Sequence, residues 1–222
     1  TQDSALRVAL YAQGEDYHIW FKQKLESMAQ ALRQKFPEQQ FICATDSSPV
    51  LERDLAYRAG LGWFGKNTCL IHPKKGSLFF IGEILSSLDL SDLKKDLYKK
   101  DPTQLHPELM HDFCGKCQKC IDVCPTGALE KPRTLNANLC ISYLTIESQN
   151  LPPQPLIEKI GDWFFGCDLC QTACPWNQKI WQNSNIQIEK PFNEKNRLQW
   201  ISELQEILTL SGKQLTRKFE ST

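Results

Sequence analysis

The stretch Cys114-Gly115-Lys116-Cys117-Gln118-Lys119-Cys120-Ile121-Asp122-Val123-Cys124-Pro125 places four of the chain's ten cysteines within eleven residues. A thiolate at every third position can wrap three corners of an iron–sulfur cubane within one turn of chain. The fourth cysteine, on the helix that follows, then points to another cluster. Pro125 closes the run by removing a backbone donor and fixing φ. Zinc sites and disulfides are the other uses of dense cysteine, and this spacing disfavours both. The spacing also demands a partner motif. One stands at Cys167-Asp168-Leu169-Cys170-Gln171-Thr172-Ala173-Cys174-Pro175, one thiol short, with Phe164 where a full repeat has its first ligand. The cysteine available between the motifs is Cys140. The crossing rule of two-cluster ferredoxins then assigns Cys114, Cys117, Cys120 and Cys174 to cluster one, and Cys124, Cys140, Cys167 and Cys170 to cluster two. Cys43 and Cys69 are left over and read as small buried hydrophobes in strands. Two such clusters form a relay for single electrons.

Outward from this module, the 222 residues suffice for one large or two small domains with a sizeable core. Lys plus Arg and Asp plus Glu are equal at 26 each, so no bulk positive field advertises a polyanion partner. Only local pairs such as Lys74-Lys75, Lys94-Lys95, Lys99-Lys100 and Lys116/Lys119 could do so, and paired lysines are usually a solvated face. The longest apolar run, Leu78 to Leu85, falls well short of the roughly 18 to 20 residues that span a bilayer. Clustered Cys-x-x-Cys spacing and a start at Thr1 without a leader pattern predict a cytoplasmic, metal-binding protein. A strand-like opening and a polar helical ending read as a piece of something longer.

Towards the amino end, Arg7 to Ala12 reads as a buried strand and Gly14 as a turn. A helix is expected from about Asp16, a plausible N-cap, to Pro37, its core stripe being Phe21, Leu25, Met28, Leu32 and Phe36. Tyr17 and His18 fall at its start, where a His is ordinarily structural. Phe41 to Thr45 is a second strand, and Asp46 stands directly after it. There open α/β sheets keep their chemistry, although the residues alone leave a plain turn or capping role open. Ser48 as cap and Pro49 at the first position predict a helix over 50–59, closed by Gly60. Gly60, Gly62 and Gly65 mark a close-approach loop that fits neither a P-loop nor a dinucleotide fingerprint. Cys69 to Ile71 and Ser77 to Ile84 read as a hairpin across 73–76. The expected architecture is an α/β (α+β) domain over 1–90 and a linker over 91–112. A ferredoxin-like domain with two clusters follows over 113–182, then the start of a helical region over 183–222.

Four stretches resemble one family. They are Leu51 to Thr68 (Leu-Glu-Arg-Asp-Leu-Ala-Tyr-Arg-Ala-Gly-Leu-Gly-Trp-Phe-Gly-Lys-Asn-Thr), the ferredoxin run ending Cys124-Pro-Thr-Gly-Ala128, Cys140 to Glu147, and Gly161 to Trp176. The family is epoxyqueuosine reductase, a cobalamin and iron–sulfur enzyme of tRNA modification. The resemblance implies two-electron deoxygenation of the epoxide of epoxyqueuosine in tRNA, giving the alkene of queuosine and water. It implies a base-off cobalamin between the two domains and an external electron donor such as flavodoxin or ferredoxin, in a monomeric protein. The family's acid, an aspartate in Asp-Thr-Gly-Pro, corresponds to Asp46 of Asp46-Ser47-Ser48-Pro49, with Ser48 in the glycine's place. To donate a proton near neutral pH, Asp46 would need burial against the corrin. By the same resemblance Leu70 and Ile81 line the corrin, while Ser142, Glu147 and Asp168, with Cys167, contact its edge or tail. Two other readings stand beside this one: a two-cluster electron carrier without catalysis, and a corrinoid reductase of a small molecule.

Overall fold

The computed structural model describes residues 6–46, 48–89, 109–183, 202, 209–211 and 214. The expected linker over 91–112 and the helical region over 183–222 lie almost wholly outside those residues. Among the described residues no helix is long and apolar enough to cross a membrane.

Helix α1, Tyr17–Lys35, begins where expected: the Asp16 carboxylate accepts the His18 N–H at 2.9 Å. It ends at Phe36, whose φ of −130° is the extended conformation that a following proline imposes. Its buried residues are Leu25 and Ala29, packed toward strands β2 (Phe41–Ala44) and β5 (Glu83–Ser86), which pair antiparallel with Ala44 opposite Glu83. Met28, expected in the core stripe, is 60% exposed. The small Ala29 lets the helix approach the sheet closely and leaves Met28 at the rim.

Helix α2 is shorter than expected. It runs Glu52–Arg58 with Leu51 at the cap and no side-chain cap, so Ser48 and Pro49 do not start it. Asp46, at φ 50°, turns the chain out of β2, and its N–H is bonded to the Glu52 carboxylate. That contact ties the strand end to the first turn of α2. The other end follows the sequence: Gly60, at φ 71°, donates to Tyr57 O at 2.9 Å and Leu61 donates to Ala56 O at 3.0 Å, closing a Schellman motif. Strand β3 (Trp63–Phe64) then pairs antiparallel with β4 (Leu70–Ile71). This corrects the expected hairpin across 73–76, where only an isolated bridge joins His72 and Gly76. The following chain pairs with β2 instead, through β5. Gly62 serves this packing rather than a ligand, because a Cβ there would lie 2.3 Å from the Ile71 carbonyl oxygen.

The cysteine-rich half contains α3 (Lys119–Asp122), the antiparallel pair β6 (Leu129–Lys131) and β7 (Thr134–Leu135), and α4 (Ile141–Ile146). These are followed by α5 (Gln154–Ile160), β8 (Trp163–Phe165), α6 (Leu169–Thr172) and α7 (Pro175–Asn183). Helices α3 and α6, one within each cysteine run, touch each other. Strand β1 is only Arg7–Val8, and Leu10–Ala12 forms a 3-10 turn instead of continuing it. β1 pairs parallel with β8, so the first strand of the chain is stitched to the cysteine-rich half and not to β2. An apolar core joins the halves elsewhere too: Trp63, Ile71 and Cys174 are buried together, with Met110, Cys114 and Trp176 against them. The rings of Trp63 and Trp176 meet edge-on at 4.9 Å.

Candidate functional site

The eight motif cysteines lie in and beside α3, α4 and α6, where burial and one another's charge raise several of the thiols. Cys120 is pushed up to about 11 by burial first, then by Cys170, Cys114 and Cys174. Cys174 is raised by burial, with Cys114 and Cys117 adding to it. Cys167 is pushed up to about 12 by burial, then by Cys170, Asp168 and Cys140, while the Leu169 N–H opposes the rise. Cys170 is raised further still, its neighbours including Cys69 and Cys124. Crowded thiols resist ionising together, and a bound metal centre relieves that cost. Among the described residues no three His, Cys, Asp or Glu side chains are close enough to hold a single metal ion.

One loop reaches into both cysteine runs. The Lys66 ammonium, on a residue only 9% exposed, donates to the carbonyls of Gly115 at 2.7 Å and Cys117 at 2.8 Å. Next to it the buried Asn67 donates to the Cys170 carbonyl at 3.3 Å. Cys69 is not an isolated apolar residue as expected: its thiol neighbours that of Cys170, which holds it below the ordinary thiol value against the effect of burial. Cys43, the other leftover, is half-buried and donates to Glu26 at 3.4 Å. A second tie is Asn177, which accepts from Ser77 N at 2.7 Å and donates to Ser77 Oγ at 2.9 Å and to Gln171 O at 2.8 Å.

Asp46 sits at the carboxyl end of β2, as expected, but the chain does not bury it: its side chain is 51% exposed. It is held from the side of α1. His18 Nε2 lies 2.7 Å from Asp46 Oδ2, and His18 Nδ1 lies 2.7 Å from Asp16 Oδ1. Hydrogen bonds with Asp46 and then Asp16 raise the imidazole above its ordinary value, because only the protonated ring donates to both carboxylates. Tyr17 lies beside it, and burial first and then the Asp46 carboxylate lift its hydroxyl far above the usual phenol value. Tyr17 stacks on His18 at 4.1 Å and on Phe80 at 4.3 Å. Glu52 is raised by burial and then by Asp46, although the bond from the Asp46 N–H opposes this. Glu83 is raised by burial and by Glu52, and both its carboxyl oxygens are buried with no partner among the described residues.

The remaining expected contacts fall on both sides of Tyr11. Burial raises the Tyr11 hydroxyl, and Asp46, Asp168 and Glu147 add to that rise in turn, so carboxylates from the two halves converge on this ring. Asp168 is 4% exposed, accepts the Leu10 N–H at 2.7 Å, and is raised chiefly by burial. Glu147 caps the end of α4 and is exposed, with Ser142 half-buried on the same helix. The Ile81 carbonyl accepts from Thr45 Oγ1 at 2.9 Å, whereas Leu70 is 3% exposed within the β3–β4 pair. His18, Tyr17, Lys66 and Asn67 are the residues that reading the sequence passed over. The signal available was the acid-flanked Asp16-Tyr17-His18 at a helix start and a Lys-Asn pair in a loop otherwise made of glycines and aromatics.

Comparison with known proteins places this arrangement. Residues 113–177 match a domain described as a 4Fe-4S double cluster binding domain, and residues 1–47 match one described as Epoxyqueuosine reductase QueG, DUF1730. The chain is 41% identical over 201 residues to the epoxyqueuosine reductase of Francisella cf. novicida, covering 87% of this chain and 52% of that protein. The chain belongs to the epoxyqueuosine reductase family. It spans about half the length of the curated relatives it matches. Among solved members of the family, the Bacillus subtilis reductase, with its catalytic aspartate loop swung out of the active site, superimposes with a TM-score of 0.70 at 28% identity. That match covers 97% of this chain and 52% of the other. An epoxyqueuosine reductase bound to an epoxyqueuosine-modified tRNA stem loop matches with a TM-score of 0.65 at 32% identity, covering 80% and 46%.

Proposed function

We propose that this chain carries the redox and proton-transfer centre of an epoxyqueuosine reductase, removing the epoxide oxygen of epoxyqueuosine in tRNA as water and leaving the alkene. The observation that carries the reading is the place of Tyr11 between the halves: its ring meets Tyr17, at the start of the helix whose His18 holds Asp46, and Phe165, two residues before Cys167, while the neighbouring Leu10 N–H is bonded to Asp168. The reaction consumes two electrons and two protons, so the site must deliver both. Cysteines 114, 117, 120 and 174 would hold one [4Fe–4S] cluster, and cysteines 124, 140, 167 and 170 the other; Cys174 beside Cys114 and Cys117, and Cys167 beside Cys170 and Cys140, support that division, while Cys120 and Cys170 meet where the two sets adjoin. The residues around Tyr11 fit a base-off cobalamin in kind, with the open carboxylates of Asp46 and Glu147 for its polar edge and the stacked Tyr17 and Phe80 nearby. Leu70, Ile81, Ser142, Glu147, Cys167 and Asp168 are the residues that would stand around it. When bound, that cofactor supplies the two-electron reducing chemistry at carbon.

Asp46 is the acid. Opening an epoxide develops negative charge on oxygen, and a positioned proton donor there contributes about 10²- to 10⁴-fold. The half-exposed carboxyl faces outward, where a nucleoside can reach it, and His18 behind it holds the proton that restores it. The exposed Lys116 and Lys119 beside cluster one present a positive edge to an acidic electron donor such as flavodoxin or ferredoxin. The test is anaerobic turnover of an epoxyqueuosine-modified anticodon stem loop by the reconstituted chain with cobalamin. Asp46→Asn should lower the rate by at least about 10²-fold while the corrin absorbance of the bound cofactor is unchanged. Full turnover by Asp46→Asn removes Asp46 from the mechanism, and a wild-type chain whose spectrum ignores saturating cobalamin leaves only the electron-carrier reading.

A further inference from the structure

Two buried polar groups beside the Cys114–Cys120 loop lack the counterpart that their chemistry requires. Lys66 is 9% exposed, and both of its hydrogen bonds go to neutral carbonyls, those of Gly115 and Cys117. None of the ion pairs among the described residues includes it. Carbonyl dipoles satisfy the ammonium's donors but do not neutralise its charge, and a buried cation without an anion is strongly disfavoured. Trp63, 1% exposed, packs against Cys174 and Cys114, and its indole Nε1–H has no acceptor among the described residues. A buried indole N–H normally finds one.

Both deficits are met by one species at one place. A cubane held by four thiolates is a dianion when oxidised and a trianion when reduced, and its sulfurs accept hydrogen bonds. We infer that Lys66 and Trp63 are the electrostatic partners of cluster one, and that the Lys66 charge holds its reduction potential above the value that the thiolates alone would set. The inference rests on the assignment of Cys114, Cys117, Cys120 and Cys174 to that cluster. The sign follows from Coulomb's law: a fixed positive charge in a poorly solvated site favours the state with the extra electron. Lys66 is a positioning and tuning residue and touches no substrate. It lies in the same loop as Asn67, which bonds the other cysteine run, so the amino-terminal half sets the electrical environment of the first acceptor in the relay.

The test is an anaerobic redox titration of the reconstituted chain, followed by the EPR signals of the reduced clusters, with iron and sulfide counted for each variant. Lys66→Gln keeps a hydrogen-bond donor for the carbonyls and removes the charge. It should weaken the one-electron reduction of one cluster by at least about tenfold, about 59 mV for a one-electron couple, and leave the other unmoved. Lys66→Arg should restore the wild-type potential to within about threefold, and Trp63→Phe should give a smaller shift of the same cluster in the same direction. Wild-type potentials in a fully loaded Lys66→Gln overturn the inference and leave a purely structural tether. If Lys66→Gln fails to load the cluster, Lys66→Arg decides: loading with a near-native potential supports the charge, and failure of both overturns it. A wild-type chain that binds no iron refutes the cluster assignment itself, which the metal count distinguishes from every outcome above.

Discussion

Around the thiols, polar side chains are buried and point at backbone carbonyls, whereas around Asp46 they are exposed and point at one another. Lys66, Asn67 and, through Ser77, Asn177 each cross from one half of the chain to the other and end on the backbone or side chain of a fixed loop. Asp16, His18 and Asp46 form a row in which every side chain is roughly half exposed. The difference matches what each end would handle in the proposed reaction. An electron relay depends on gaps that do not change, so its ligand loops are pinned from behind by groups that water cannot replace. A proton donor has to meet a bulky substrate from outside, so its carboxylate stays open and is aimed by a neighbour that can itself exchange protons.

Perturbations should respect this contrast. The largest effect is expected from Cys124→Ser or Cys170→Ser, which should remove about half of the bound iron and all turnover; full iron content by chemical assay would break the proposed ligand sets. Next comes Gly62→Ala, whose new methyl would meet the Ile71 carbonyl at 2.3 Å, a contact that the β3–β4 pair cannot yield to cheaply. A loss of about 3 kcal/mol, read as a lowered denaturation midpoint, is expected, and an unchanged midpoint would mean that the two strands separate easily. At the open end effects on stability should be small and effects on protonation clear. The His18 pKa is raised by its bonds to Asp46 and Asp16, so the stabilisation from this row is complete below the ordinary histidine value and is lost as pH rises through the raised one. An NMR titration of His18 should therefore show a midpoint above about 6.5, moving down in Asp46→Asn. The smallest change is expected from Asp168→Asn, which still accepts the Leu10 N–H and removes a carboxyl that burial already resists ionising; its melting temperature should stay level or rise near neutral pH.

Features that rest on local rules were legible in the sequence. Cysteine spacing gave the two-cluster module, Asp16 gave the start of α1, and Gly60 gave the end of α2. Features that depend on distant partners were not. Ser48 and Pro49 carry good helix-start chemistry, yet the bond from the Asp46 N–H to Glu52 sets the first turn further on. Cys69 sits in a strand-like apolar run, and nothing nearby in sequence reveals that its thiol reaches Cys170. His18 looked structural because its acceptor, Asp46, is 28 residues away. Burial of Asp46 was expected from what the family binds, and the chain by itself supplies a hydrogen-bonded but open carboxylate.

The pairing of β1 with β8 also bears on assembly. The Leu10 N–H waits for a carboxylate 158 residues further along the chain. At ordinary synthesis rates of about 5 to 20 residues per second, that is a delay of about 8 to 30 seconds. Helix α1 and the β2–β5 pair, being more local, can form while the ribosome is still making the cysteine runs. The Tyr11 corner cannot, because one wall of it is Asp168. That corner is completed only as the second cysteine run, Cys167 to Cys174, is being made.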